Sequence, residues 1–200
     1  MILKVSDLFD TCNSGGWITK GTTQYKLVDG TLYFQCSDGK EDWYRNFAFP
    51  AVPYKRMKNK FLVHAGFLSA WKEVRDEIAQ LDFNRIVGYS HGAALALLAC
   101  EDRAYNGVNV PTFVFGCPRT FFMPPARIRG LLARVIRYTS DGDIVTKVPP
   151  ALLGYRHVGE NNLLKGKIKQ GDDSWLVFLS RHSPSVYRQR LLAAGLSAQI

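Results

Sequence analysis

The chain has no long apolar run. Its longest, Ala93 to Cys100, covers eight residues, well short of the roughly 18 that a membrane-spanning helix requires. At the N-terminus, Lys4, Asp7 and Asp10 interrupt the apolar stretch that a signal peptide would need. These absences lead to the expectation of a soluble chain made and kept in the cytoplasm, with any release by cell lysis or a dedicated secretion system. Cysteine is scarce. Cys12, Cys36, Cys100 and Cys117 have neither Cys-x-x-Cys spacing nor a metal-type pairing with histidine, so reduced thiols are expected, with no disulfide framework and no zinc site. There is no internal repeat, no low-complexity tract and no sign of a second domain, and residues 1–200 are expected to form one. Helix-turn-helix, RNA-recognition and zinc-finger spacings are also missing, so no specific nucleic-acid partner is expected.

Acidic residues are outnumbered, 17 against 26 basic ones, for a net charge of +9. The basic residues gather at Lys55, Arg56, Lys58 and Lys60, at Arg127, Arg129, Arg134 and Arg137, and at Lys165, Lys167 and Lys169. A basic face of this kind attracts anionic interfaces such as phospholipid head groups, and would bind nucleic acid only weakly. It also serves simply as a solubilising surface. The hydrophobic content of 46% is ordinary for a globular domain with a sizeable core.

The most informative stretch is Gly88-Tyr89-Ser90-His91-Gly92, of the form Gly-x-Ser-x-Gly. Composition alone would produce that form about 0.08 times in a chain of this length. Its setting adds weight, because an expected strand, Phe83 to Tyr89, runs into it and an expected helix, Gly92 to Asp102, runs out. A serine on so sharp a turn projects its hydroxyl from the sheet, and only small flanking residues permit the turn. The helix that follows aims its free N–H groups at the reacting centre. Downstream, Leu132 to Thr139 reads as a strand leading into Ser140-Asp141-Gly142-Asp143. Trp175 to Leu179 reads as a last strand leading into Ser180-Arg181-His182, after which Ser183-Pro184 opens a helix as N-cap and first-turn proline.

Serine, acid and histidine thus follow one another in the order of an α/β-hydrolase. Ser90 is the expected nucleophile. Asp143 leads Asp141 as the acid because Ile144-Val145 looks able to anchor it, although Asp-Gly-Asp is also ordinary turn chemistry. Four histidines compete for the base. His91 diverges from its neighbour Ser90, and His64 reads as a packing or hydrogen-bonding residue. His157 is the serious rival to His182 but lies ahead of the loop where this fold keeps its base. The strands separated by helix-like segments predict an α/β fold with a mostly parallel central sheet flanked by helices.

Further motifs carry a family resemblance from about Leu32 to Tyr187. Phe34-Gln35-Cys36-Ser37, with Asp42-Trp43 and Asn46 beyond it, is similar to a Phe-Arg-Gly-Ser/Thr loop. His64-Ala65-Gly66-Phe67, the elbow, Phe115-Gly116-Cys117-Pro118-Arg119, Asp143-Ile144-Val145 with Val148-Pro149-Pro150, and Tyr155-x-His157 follow in order. Together they resemble the class 3 lipases, the fungal-lipase-like branch of the α/β-hydrolases. In the elbow, His91 and Ala93 replace the usual Leu and Gly. The resemblance implies Asp143 as the acid, a non-catalytic His157, and an oxyanion hole built by Ser37 and the backbone N–H of His91. Gln35-Cys36 stands in place of Arg-Gly, and losing that glycine narrows the conformations open to the loop. The resemblance also implies a lid after this loop, for which Trp43, Tyr44, Phe47 and Phe49 are candidates within the irregular segment from Asp38 to Lys60, with plain packing the alternative.

These residues imply acyl transfer to water with no metal and no organic cofactor. The family resemblance implies an acylglycerol or phospholipid ester as substrate. A catalytically idle scaffold that binds anionic surfaces or a protein partner is the alternative from another class. Transacylation or thioester hydrolysis would use the same three residues.

Overall fold

A computed structural model describes residues 2–36, 50–56, 59–166 and 180–199. In chain order the strands and helices are β1 (Ile2–Lys4), α1 (Val5–Cys12), β2 (Ile18–Lys20), β3 (Thr23–Val28), β4 (Thr31–Cys36), β5 (Ala51–Arg56), β6 (Asn59–His64), α2 (Ala65–Ile78), β7 (Arg85–Tyr89), α3 (His91–Tyr105), β8 (Thr112–Phe115), β9 (Phe121–Phe122), α4 (Ala126–Leu131), β10 (Ile136–Ser140), β11 (Tyr155–Arg156), β12 (Glu160–Leu164), α5 (Pro184–Ala194) and β13 (Ser197–Gln199). The main sheet has the order β12-β10-β8-β7-β4-β3-β2. Its neighbours from β12 to β4 are parallel, and β4, β3 and β2 are antiparallel. The fold is that of an α/β-hydrolase, with the mostly parallel sheet expected from the sequence.

Local chemistry explains the framework. Asp29 and Gly30 both have positive φ and form the two-residue turn between β3 and β4, whose twist suits a hairpin. Side chains alternate across the sheet. Leu32, Phe34, Ile86 and Val114 face one core with α2 and α3, while Tyr33, Val87, Tyr89, Phe113 and Phe115 face the other with α1 and α5. Every residue of β7 is buried, as suits a central strand covered on both faces. Helix α3 is buried nearly all round, which explains its unbroken apolar sequence. The chain's two ends meet, since β1 pairs antiparallel with β13 and α1 packs against α5.

The structure moves several expected boundaries. The nucleophile helix begins at His91 and runs to Tyr105, and β7 begins at Arg85. Leu132 to Arg134 form a turn after α4, so the strand before the acid is only Ile136–Ser140. Part of the segment expected to be irregular is an antiparallel pair, with Ala51 opposite His64. Pro53 is tolerated there because β5 is the edge of the smaller sheet β11-β9-β6-β5. Arg137 leaves the expected basic face: it is buried, and its Nε donates to the Val158 carbonyl at 2.9 Å. The expected strand Trp175 to Leu179, Ser37, and the lid candidates Trp43, Tyr44, Phe47 and Phe49 lie outside the described residues. Among the described residues no helix is long and apolar enough to cross a membrane.

Candidate active site

Ser90 occupies the turn between β7 and α3 with φ 58° and ψ −125°, a conformation that costs a non-glycine residue on the order of 1–3 kcal/mol. The surroundings hold it there. Its N–H donates to the Phe115 carbonyl at 2.9 Å, and its carbonyl accepts from the Ala93 N–H at 3.0 Å. Both flanking glycines are sterically required. A Cβ on Gly88 would lie 2.5 Å from the Gly92 carbonyl oxygen, and one on Gly92 would lie 2.3 Å from that of Phe34. The second contact presses the end of β4 against the elbow.

His182 Nε2 lies 2.8 Å from Ser90 Oγ, and its Nδ1 lies 2.8 Å from Asp143 Oδ2. With Nδ1–H donating to the carboxylate, Nε2 is left to accept the serine proton. All three side chains are buried. Asp143 is held from three directions: Oδ1 accepts from the Val145 N–H at 2.9 Å, and Oδ2 accepts from His182 and from the Tyr187 hydroxyl at 2.6 Å. Tyr187 Oη in turn accepts from the Ser140 N–H at 3.0 Å. Burial, reinforced by the Asp143 charge, pushes the Tyr187 phenol well above its usual 10, so it remains a donor.

Neighbouring elements aim the base. Ser183 caps α5, its Oγ accepting from the Val186 N–H at 3.4 Å, with Pro184 in the first turn. The Ser183 N–H closes the turn onto the Ser180 carbonyl at 2.9 Å. Gly116, at φ 58°, leaves room for the ring, since a Cβ there would stand 2.7 Å from His182 Cε1.

The rivals are placed elsewhere. Asp141 is exposed, and its carbonyl accepts from Arg190 Nη1 at 2.9 Å. His157 Nε2 bonds the Thr146 carbonyl at 2.7 Å, and burial followed by the charge of Arg137 lowers its pKa to about 4. His64 packs on Phe67 with ring centroids 4.4 Å apart, and the His91 ring lies 5.4 Å from the same phenylalanine. Burial lowers both to about 4, with His64 adding to the effect on His91. The His91 backbone N–H, at the start of α3, adjoins Ser90 as expected. The sequence offers no role for Tyr187 or Arg190, and it shows Gly116 only as part of the Phe115 to Arg119 motif. Tyr187 follows His182 by five residues, a spacing with no local signature, and only packing joins it to Asp143.

A buried hydroxyl on a strand-to-helix elbow, in series with an imidazole and a carboxylate from two later loops, is the arrangement of the serine-nucleophile class of α/β-hydrolase folds. Residues 31–153 match the family described as Lipase (class 3). The chain belongs to this class 3 lipase family. It is 28% identical over 150 residues to a lipase of Rhizomucor miehei, covering 65% of this chain and 40% of that one. It is 31% identical over 154 residues to the secreted mono- and diacylglycerol lipase A of Penicillium cyclopium, covering 68% and 50%. The chain thus spans about half the length, or less, of these relatives. The solved mono- and diacylglycerol lipase of Aspergillus oryzae superposes with a TM-score of 0.65 at 24% identity, covering 77% of this chain and 64% of that one, which shows a shared fold. His182 and Tyr187 lie beyond the matched stretch, so geometry alone brings them to Ser90 and Asp143.

Proposed function

We propose that this chain is a serine hydrolase that cleaves carboxylic esters of lipids, acylglycerols or phospholipids, through an acyl-enzyme. The observation that carries the reading is the continuous hydrogen-bonded series Ser90–His182–Asp143, 2.8 Å at each link, ending on a strained elbow. His182 Nε2 takes the Ser90 proton as Oγ attacks the ester carbonyl, and Asp143 stabilises the imidazolium. The His91 N–H, together with Ser37 beyond the end of β4, holds the developing oxyanion, each donor contributing about 3–4 kcal/mol to the transition state. His182 then gives its proton to the leaving alcohol. Water, deprotonated by the same nitrogen, releases the acid and restores Ser90.

The substrate arrives at a lipid surface. Met123, Leu152 and Leu153 are exposed, and the Met123 N–H bonds the Gly154 carbonyl at 2.9 Å, which sets the methionine beside the two leucines. Arg156, bonded to the Ala151 carbonyl, adds a cation there. Apolar side chains beside a guanidinium suit an anionic interface. We infer the cytoplasm as its place of work, a compartment in which the buried thiols of Cys12, Cys100 and Cys117 stay reduced. The word "secreted" belongs to the name of the Penicillium relative.

The test is intact-protein mass after exposure to a fluorophosphonate, with Ser90→Ala alongside. One stoichiometric adduct on the wild type and none on the variant is expected. No adduct on folded wild-type protein, with or without added detergent or lipid, would overturn the reading in favour of an idle scaffold.

A further inference from the structure

The base must keep Nε2 on the serine while its ring changes from neutral to charged. Asp143 and Ser90 hold its two nitrogens within the plane of the ring, which leaves rotation about the line between them. A flat neighbour stops that rotation. Tyr89, the residue before the nucleophile, lies parallel to His182, with centroids 5.2 Å apart and planes inclined by 15°. Its hydroxyl donates to the backbone carbonyl of His182 itself. One side chain therefore contacts both the ring and the main chain of the base.

Tyr89 is itself locked. It is the last residue of β7, directed with Val87 into the core beneath α1 and α5. Phe9 of α1 meets its ring edge-on at 5.4 Å, and Tyr187 of α5 meets it at 5.8 Å and 70°. Phe9 also packs on Phe115 and Tyr187, which closes an aromatic cluster around the tyrosine. The two tyrosines divide the support: Tyr187 bonds the acid, and Tyr89 bonds the base.

We propose that Tyr89 is a positioning residue for the base, its ring fixing the plane of the imidazole and favouring the imidazolium, its hydroxyl anchoring the main chain of His182. The proposal rests on the reading of Ser90, His182 and Asp143 as nucleophile, base and acid. The electron-rich face of a phenol attracts a cation stacked on it, most strongly where water is excluded. Asp143 after β10 bonds the imidazole, Tyr89 of β7 stacks on it and Tyr187 of α5 meets it edge-on at 6.2 Å, with Ser90 as its proton donor. Gly116, at the end of β8, presents no side chain to it.

The experiment measures fluorophosphonate labelling rates across a pH series in wild-type protein, Tyr89→Phe and Tyr89→Leu. The histidine ring resonances of the same samples are followed by NMR, with His182→Gln to assign the signal. Tyr89→Leu is expected to slow labelling about tenfold, to displace the pH profile of labelling, and to remove from the His182 resonances the ring-current shift of the stacked phenol. Tyr89→Phe keeps the ring, so the profile and the resonances should hold while labelling slows about two- to fivefold. An unmoved pH profile in folded Tyr89→Leu would overturn the role of the ring. If that variant does not fold, Tyr89→Phe decides the matter, and an unchanged labelling rate overturns the anchoring. The NMR comparison needs no label, so a wild-type protein that takes none would count against the proposed hydrolase and leave the ring result readable.

Discussion

At the scale of single residues, the two candidate bases differ in what each nitrogen touches. His182 bridges Ser90 and Asp143, whereas His157 ends on the Thr146 carbonyl. Thr146 Oγ1 bonds the Asp143 carbonyl at 2.9 Å, so His157 supports the acid loop from behind. His182→Ala should therefore lose about 10³-fold or more in kcat with little change in Tm. His157→Ala should cost about 1 kcal/mol of stability, the net value of a buried hydrogen bond, and keep kcat within about threefold. Steady-state kinetics on a short-chain ester, beside thermal unfolding of both variants, checks the pair. The reverse pattern would exchange their roles.

At the scale of elements, the site is a junction of strand ends. β7 delivers Ser90, β10 delivers Asp143, and the end of β8 provides Gly116 as a gap for the imidazole. Gly116→Ala tests that gap. Its Cβ would meet the ring at 2.7 Å, and the residue already has φ 58°, which costs an L-residue about 1–2 kcal/mol. The ring must move from Ser90. Fluorophosphonate labelling should slow by about 10²-fold, far more than the small fall in Tm would explain. Labelling at the wild-type rate would mean that the base is held by its own turn and needs no room from β8.

At the scale of the whole molecule, the buried His64 and His91 and the half-buried His157 are expected to limit stability in acid. His64, His91 and His157 have pKa values lowered from 6.5 to about 4 by burial. Above pH 6.5 neither the folded nor the unfolded imidazoles bind protons, and their contribution is complete. Below it, the unfolded chain binds protons that the folded chain refuses. Stability therefore falls as pH drops from 6.5, by on the order of 1 kcal/mol per unit for each histidine, and the loss is complete once pH passes through about 4. Denaturant midpoints at pH 7, 5.5 and 4.5 should decline, and His157→Asn should flatten the decline. An unchanged slope would show that His157 is protonated in the folded state. If the proposed lipid-surface reading holds, the net charge of +9 steers encounter with anionic interfaces. Hydrolysis of vesicles rich in anionic lipid should fall as salt rises from 0.05 to 0.5 M, about the range over which the Debye length shrinks below 5 Å, while a soluble short-chain ester should be little affected. Equal salt sensitivity would remove the basic surface from the mechanism.

Much of this was legible along the chain because the relevant physics is local. A strand, a glycine-flanked serine and an apolar helix are consecutive, so Gly88 to Gly92 announces the elbow without help from distant residues. The same holds for the cap at Ser183-Pro184. Strand boundaries were less legible, as at Leu132 to Arg134, where an apolar run gives way to a turn because α4 has to end before β10 can enter the sheet. Asp143 already led Asp141 because of Ile144-Val145, and His182 already led His157 because of its place after the last expected strand. That His182 meets Asp143 and Ser90 across separations of 39 and 92 residues was not legible. Tyr89 stands inside the elbow motif and Tyr187 in the last helix, but nothing in the sequence marked either as a support of the acid or the base. Sequence alone determined the type of chemistry and its order along the chain, since both follow from residue type and local periodicity. Tertiary structure decided how Asp143 and His182 line up with Ser90, and which tyrosines hold them, because only sheet pairing and packing bring such distant residues within hydrogen-bonding reach.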